Sequence, residues 1–306
     1  MTRPAVWIPA SLPSELRRLL PGGVDLREYP AHGPIPDAPQ HADMLIAGFD
    51  SSRTIDLIPQ FEGLQVVQAL SAGVDTMVDH IPPGVTLCDG AGIHDASVAE
   101  WCVMAMLAAR HRLPDHLRAQ EQQTWQWSTG GADLDGAGVL IVGHGSIGRA
   151  LEARLLPFGA RVTRVARRAR DGVHAMDDVH QLLPDADVVV ILLPLTPATR
   201  GIVDTRFLDS MRDGALLVNA ARGAIVDTDA LLDALRREHI AAALDVTDPE
   251  PLPDGHPLWT APGVLITPHV AGAVQQLMQR AWRLAGEQVR RYAAGEPLLN
   301  VVSEGY

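Results

Sequence analysis

The 306-residue sequence contains no lysine, so all 25 of its basic side chains are arginine. Enzymes that form a Schiff base and phosphate loops of the Walker type both need a lysine amine, and both are excluded. Aromatic residues are scarce at 4%, which leaves a core of Leu, Val, Ile and Ala. Two cysteines, Cys88 and Cys102, are too few for a disulfide framework and read as reduced thiols of a cytoplasmic protein. Basic residues are outnumbered by 37 acidic ones, and a net charge of −12 suits neither nucleic acid nor an anionic membrane surface. Long apolar runs are also missing. The longest, residues 101–109, is far short of the roughly 20 residues a span requires. Pro4 and Pro9 interrupt the N-terminus before a stretch of signal length can form. There is no internal repeat, and the 12 histidines do not cluster at ligand spacing, so no metal is expected. What is present, 47% hydrophobic residues over this length, fits a globular chain of about two domains.

Short β-rich runs alternate with helical patterns, which implies βαβ units and parallel sheets. Residues 5–9, 44–49 and 64–70 read as strands. So do the unbroken apolar runs 139–142, 187–193, 215–219 and 264–266, as parallel strands buried on both faces should. Residues 14–20 read as a helix with Ser14 as N-cap and Pro21-Gly22-Gly23 as its stop. Residues 96–112 read as a long helix, apolar nearly all round, of the kind that joins two lobes. Pro and Gly crowd residues 30–39 and 81–92, which read as ordered loops.

The strand 139–142 runs into Gly143-His144-Gly145-Ser146-Ile147-Gly148, and a helix follows over 149–156. Between a strand and a helix, G-x-G-x-x-G allows a tight turn, a close backbone approach to a pyrophosphate, and close helix–strand packing. Free N–H groups at the helix start face the anion. The six residues Gly143, His144, Gly145, Ser146, Ile147 and Gly148 are therefore expected to bind a dinucleotide. A second strand, 161–166, arrives at the expected distance, but no carboxylate stands at its end to take a ribose 2′-hydroxyl. Arg167 and Arg168 stand there instead, with Arg170 close behind. Guanidinium groups suit a 2′-phosphate by charge and fork geometry, so NADP(H) is the expected cofactor and NAD(H) the alternative.

Three polar groups follow apolar strands further on: Arg222 after Val218-Asn219-Ala220-Ala221, Asp245 after Leu244, and His269 after Ile266-Thr267-Pro268. Ligands of open parallel sheets bind outside the carboxyl ends of the strands, which makes all three candidates for one cleft. A histidine can give a proton to a ketone oxygen while a cofactor delivers hydride to the carbon, and a neighbouring carboxylate can orient it. An arginine can bind a substrate carboxylate through two parallel hydrogen bonds.

In this order, these segments resemble the D-isomer-specific 2-hydroxyacid dehydrogenase family over nearly the whole chain. The matching stretches also include Ser71-Ala72-Gly73-Val74-Asp75, Val98-Ala99-Glu100, Leu193-Pro194-Leu195-Thr196-Pro197-Ala198-Thr199-Arg200-Gly201 and Asp245–Pro251. The resemblance implies an α/β fold with a Rossmann cofactor domain, 98–276, inserted in a flavodoxin-like substrate domain, 1–97 and 277–306, both with parallel sheets. It also implies a returning helix over 274–293 and a closing tail over 297–306. Arg222 would orient a small 2-oxo or 2-hydroxy acid, Glu250 would pair with His269, and His269 would be the general acid and base. Ser71, Ala72 and Gly73 would meet the substrate carboxylate. Leu193, Pro194, Thr199, Ala220, Asp245 and Gly272 would line the cofactor cleft, Asp245 near the nicotinamide carboxamide.

Within the family, the formate-oxidising branch puts an amide where Glu250 stands, and the phosphite-oxidising branch has a lysine where Ala72 stands. An NADP(H) bias favours the reductive direction, which makes an NADPH-dependent reductase of the glyoxylate/hydroxypyruvate type the expected reading. A phosphoglycerate dehydrogenase without a regulatory domain is the runner-up, since the chain ends about ten residues past the returning helix. A nucleotide-sensing corepressor of the same fold is a third reading. The family likeness implies a homodimer, with the Trp125/Trp127 segment either in the interface or packed in the core. Loops near 48–54 and 71–76, residues around Trp282 or a partner subunit would set substrate selectivity.

Overall fold

Apolar runs pair as parallel ladders in the computed structural model, which describes residues 3–127 and 130–302. The chain divides into two units, residues 1–94 with 275–306 and residues 95–274. The first contains β1 (Ala5–Pro9), β2 (Asp25–Tyr29), β3 (Met44–Ile46), β4 (Val66–Gln68) and β5 (Thr86–Cys88), in the spatial order β2-β1-β3-β4-β5. That is the flavodoxin-like order. β5 corrects the reading of 81–92 as loop alone. β3 is shorter than expected: its ladder to β4 ends at Ile46, and Asp50 then caps helix Ser51–Leu57 by accepting from the Ser52 and Arg53 amides.

The expected helix over 14–20 is only Ser14–Arg17, and Pro13, not Ser14, holds the cap position without a side-chain bond. Packing explains the early stop. The returning helix, Leu277–Ala294, begins three residues later than expected, and it approaches the chain so closely that a Cβ on Gly286 would lie 2.1 Å from the Leu19 carbonyl oxygen. The same helix buries Gln288, whose Nε2 donates to Gln68 Oε1 (2.7 Å) and to the Leu299 carbonyl (2.8 Å). Trp282 is 1% exposed and packs in the core with Val6, Ile8 and Ala285, so its indole is core rather than pocket wall. Of the expected tail, residues 303–306 lie outside the described residues; Val301 forms an antiparallel bridge with Cys88.

The second unit carries β6 (Gly138–Val142), β7 (Arg161–Ala166), β8 (His174–Ala175), β9 (Val188–Ile191), β10 (Ala215–Asn219), β11 (Ile240–Leu244) and β12 (Val264–Ile266). All pair in parallel, in the order β8-β7-β6-β9-β10-β11-β12. The chain runs outward from β6 through β8, then jumps back to β9 on the other side, so the switch in strand order falls between β6 and β9. Aliphatic residues fill both faces: Leu140, Val189 and Leu217 on one, Val139, Val190 and Val218 on the other. The long helix is Asp95–Arg110 and is followed by a second, Leu113–Glu121. Beyond it, Trp125 and Trp127 are 83% and 86% exposed, which rules out core packing for them. Among the described residues no helix is long and apolar enough to cross a membrane.

Candidate active site

Ladder register lines up the ends of the second sheet. Val142 pairs with Ile191, Ile191 with Asn219, Asn219 with Leu244, and Leu244 with Ile266. The glycine turn, Leu193, Arg222, Asp245 and His269 all follow this row within a few residues, so one sheet edge carries them all. That edge, at the switch in strand order, is where an open α/β sheet binds its ligand.

The turn fits a dinucleotide. Gly143 has φ +113°, and a Cβ there would come within 2.5 Å of the Leu192 carbonyl; a Cβ on Gly148 would lie 2.6 Å from the Gly143 oxygen. A Cβ on Gly145 would meet nothing within 4 Å, which leaves its side of the turn open. Helix Ser146–Leu155 starts there with no side-chain cap, so its first amides are available to an anion. The Gly143 and His144 amides both donate to the Val165 carbonyl at 2.9 Å, tying the turn to β7. After β9, the Thr199 hydroxyl donates to the Pro194 carbonyl (2.6 Å) and accepts from the Thr196 amide (2.8 Å). Thr199 thus staples its own loop, while Leu193 is buried and Pro194 exposed.

Arg222 is half-buried on the loop after β10. Buried Asn219 shapes that loop, accepting from the Ala221 amide (3.1 Å) and donating to the Arg222 carbonyl (3.0 Å). A Cβ on Gly223 would sit 1.9 Å from the Thr247 oxygen, so only glycine lets the Arg222 loop lie against the loop after β11. Ala220 is half-buried beside it.

Asp245 is 2% exposed, and its carboxylate is well supplied with donors: Thr267 Oγ1 (2.5 Å) and the Val270 amide (2.9 Å) on Oδ1, and the Ala271 amide (2.8 Å) on Oδ2. Such bonds offset the desolvation of a buried carboxylate. Trp101 donates from its indole to the Thr267 hydroxyl at 3.1 Å. Asp245 therefore organises residues 267–271, including the turn to half-buried Gly272. His269 sits in that segment at φ +54°, a left-handed conformation that costs a non-glycine residue on the order of 1 kcal/mol or more. Its amide donates to the Asp245 carbonyl at 2.7 Å, which helps hold the strain. The His269 Nδ1 lies 2.5 Å from Glu250 Oε1, and both side chains are about half exposed, at 48% and 40%. Asn219, Thr267 and Trp101 are functional supports that sequence reasoning misses; the strand ends they occupy or face are the only signal that hints at them.

Ser71, Ala72 and Gly73 follow β4 in the first unit, where the Ser71 hydroxyl donates to the Gly73 carbonyl at 2.9 Å. The Gly90 amide donates to the Ser71 carbonyl at 2.8 Å, and a Cβ on Gly90 would lie 3.0 Å from Ser71, so glycine there keeps the loop close to β5. Of the selectivity candidates at 48–54, Asp50 serves as the helix cap and Arg53 donates to the Pro30 carbonyl at 2.7 Å.

Residues 103–271 match the family profile described as D-isomer specific 2-hydroxyacid dehydrogenase, NAD binding domain. A glyoxylate reductase from Aeropyrum pernix is 30% identical over 99% of this chain and 97% of its own length. A D-3-phosphoglycerate dehydrogenase from Mycobacterium tuberculosis is 31% identical over the full chain, which spans 60% of that relative. Among solved structures, a D-isomer specific 2-hydroxyacid dehydrogenase from Xanthobacter autotrophicus Py2, in complex with NADPH and MES, superposes with a TM-score of 0.85 at 31% identity, covering 99% of this chain and 98% of that one. The glycine turn, the row of strand ends and these likenesses agree, and the chain belongs to the D-isomer-specific 2-hydroxyacid dehydrogenase family.

Proposed function

We propose that this chain reduces a small 2-oxo acid of the glyoxylate or hydroxypyruvate type, with NADPH as its preferred cofactor. The observation that carries the reading is the Glu250–His269 pair, on the same sheet edge as Arg222 and the glycine turn. Bound cofactor supplies a hydride to the carbonyl carbon. His269 supplies the proton to the carbonyl oxygen, and Glu250, bonded to Nδ1, leaves Nε2 as the nitrogen that carries it. The proton returns to His269 from solvent, to which its half-exposed side chain is open. Arg222 holds the substrate carboxylate as a fork and polarises the adjacent carbonyl. Ser71, Ala72 and Gly73 are assigned to the same carboxylate; Leu193, Pro194, Thr199, Ala220, Asp245 and Gly272 are assigned to the cofactor. The preference for NADPH is supported by the absence of a carboxylate at the end of β7 and by Arg167 and Arg168 just beyond it.

Steady-state kcat/KM with glyoxylate, hydroxypyruvate and 3-phosphohydroxypyruvate, each with NADPH and NADH, tests the reading. The expected result is turnover of the first two with NADPH favoured. Preference for NADH contradicts the cofactor assignment, and preference for the phosphorylated acid moves the chain to the phosphoglycerate reading. No turnover with any of them sinks the reductase.

The reading includes a homodimer. Trp125 and Trp127 stack edge to face, 6.0 Å apart, almost fully in solvent, and Leu113 and Leu117 of the preceding helix are exposed as well. An apolar patch of this kind is normally covered. Light scattering is expected to give twice the 32.8 kDa chain mass, falling toward one chain mass when both tryptophans become serine. A monomeric wild-type chain contradicts this.

A further inference from the structure

His144, inside the glycine turn, is 8% exposed, and its ring is not idle. Its Nε2 lies 2.7 Å from Glu152 Oε2, on the helix that the turn opens. The other Glu152 oxygen receives Arg164 of β7, whose Nε donates at 2.8 Å. Arg164 first, and His144 after it, holds the Glu152 carboxyl below its usual range, so it is ionised at neutral pH. An ionised acceptor at Nε2 places a ring proton there and turns Nδ1 toward Arg170, whose Nη2 stands 3.5 Å away. The same Nη2 donates to the His144 carbonyl at 2.7 Å. The Arg170 backbone is fixed too: its amide donates to the Val173 carbonyl (3.0 Å) and its carbonyl accepts from the Val173 amide (2.8 Å), across a turn with Gly172 at φ +68°. One edge of this guanidinium is anchored on the glycine turn, while the residue as a whole is exposed.

Arg164 cannot also serve the cofactor, because Glu152 engages it. Arg168, by contrast, lies exposed in a bend and has no such anchor on the turn. A guanidinium already held beside the turn loses less freedom on meeting an anion than one that must be ordered. We propose that Arg170 is the pre-positioned arginine that, beside Arg167 and Arg168, selects a ribose 2′-phosphate, and that His144, Glu152 and Arg164 are positioning residues that hold it there. This rests on the NADP(H) reading and adds to it a residue and a support.

Calorimetric titration of the full chain with adenosine 2′,5′-bisphosphate and with ADP separates the cases, since the two probes differ in the 2′-phosphate. The wild type is expected to bind the bisphosphate more tightly. Arg170→Met is expected to weaken the bisphosphate about 10- to 100-fold and ADP by less than about twofold, the loss of one charged hydrogen-bonding partner. Glu152→Gln is expected to shift the same ratio about three- to tenfold, with Glu152→Asp restoring part of it. Simple damage to the turn would weaken both probes alike, and that result for Glu152→Gln overturns the positioning role. An unchanged ratio in Arg170→Met, with the wild-type preference intact, overturns the Arg170 assignment while the NADP(H) reading stands. A wild type that prefers ADP and NADH refutes the cofactor reading itself, and Arg170 with it.

Discussion

Replacing His269 with alanine is expected to lower kcat for 2-oxo acid reduction by about 10²- to 10⁴-fold while leaving the dissociation constant for NADPH within about threefold. The size follows from what the side chain does in the proposed reaction. Hydride transfer to a carbonyl leaves negative charge on oxygen, and a positioned acid that neutralises it as it forms contributes rate enhancement of that order. The pairing with Glu250 at 2.5 Å fixes which nitrogen carries the proton and how the ring is turned. It adds little to stability, since both groups are about half exposed and solvent screens them. The alanine variant should fold: His269 is held by its backbone, through the Asp245 carbonyl, more than by its ring. Glycine at 269 would relieve the left-handed strain while removing the same ring, so His269→Gly should be equally slow and no less stable. A kcat within about tenfold of the wild type in either variant contradicts the assignment.

Arg222→Lys is expected to lower kcat/KM by about 10²- to 10³-fold with cofactor binding unchanged. Charge is retained in this variant, so the loss measures geometry. A planar fork can hold both carboxylate oxygens and keep the neighbouring carbonyl in line, and an ammonium cannot. The loop that presents Arg222 is built for position: Asn219 bonds both sides of it, and Gly223 lets it lie against Thr247 where any Cβ would collide. If the lysine variant keeps kcat/KM within about threefold, the carboxylate is held elsewhere.

Local signals in the sequence make much of this fold and site legible. The strand, glycine turn and helix at 138–155 form one continuous segment, and each part announces the next. Arg222, Asp245 and His269 are readable because each follows an apolar strand, and parallel sheets expose such residues at one edge. What is not legible depends on distance along the chain. Trp101 and Thr267 are 166 residues apart, yet their bond completes the support of Asp245. Asp245 reads from the sequence as a cofactor contact, and its carboxylate also bonds the His269 segment, a role no spacing reveals. The strand Asp25–Tyr29 leaves no apolar run to read, because only Tyr29 of its five residues is buried. An edge position lets Asp25, Arg27 and Glu28 stay polar. Helix ends differ from their sequence signals for similar reasons, as the approach of Gly286 to Leu19 shows. The two tryptophans at 125 and 127 read equally well as core or as interface, and only their exposure decides against core.

The central claim is that one sheet edge both holds NADPH and uses it on a small 2-oxo acid. Rapid mixing of the NADPH-loaded wild-type chain with glyoxylate or hydroxypyruvate, followed by nicotinamide absorbance, tests it most directly. The account predicts loss of the reduced-nicotinamide signal in a single turnover, slowed by about 10²-fold or more in His269→Ala although that variant still binds NADPH. Stable absorbance in the wild type, with NADPH bound and every 2-oxo acid ignored, would contradict it and leave a nucleotide-binding protein that does not turn substrate over.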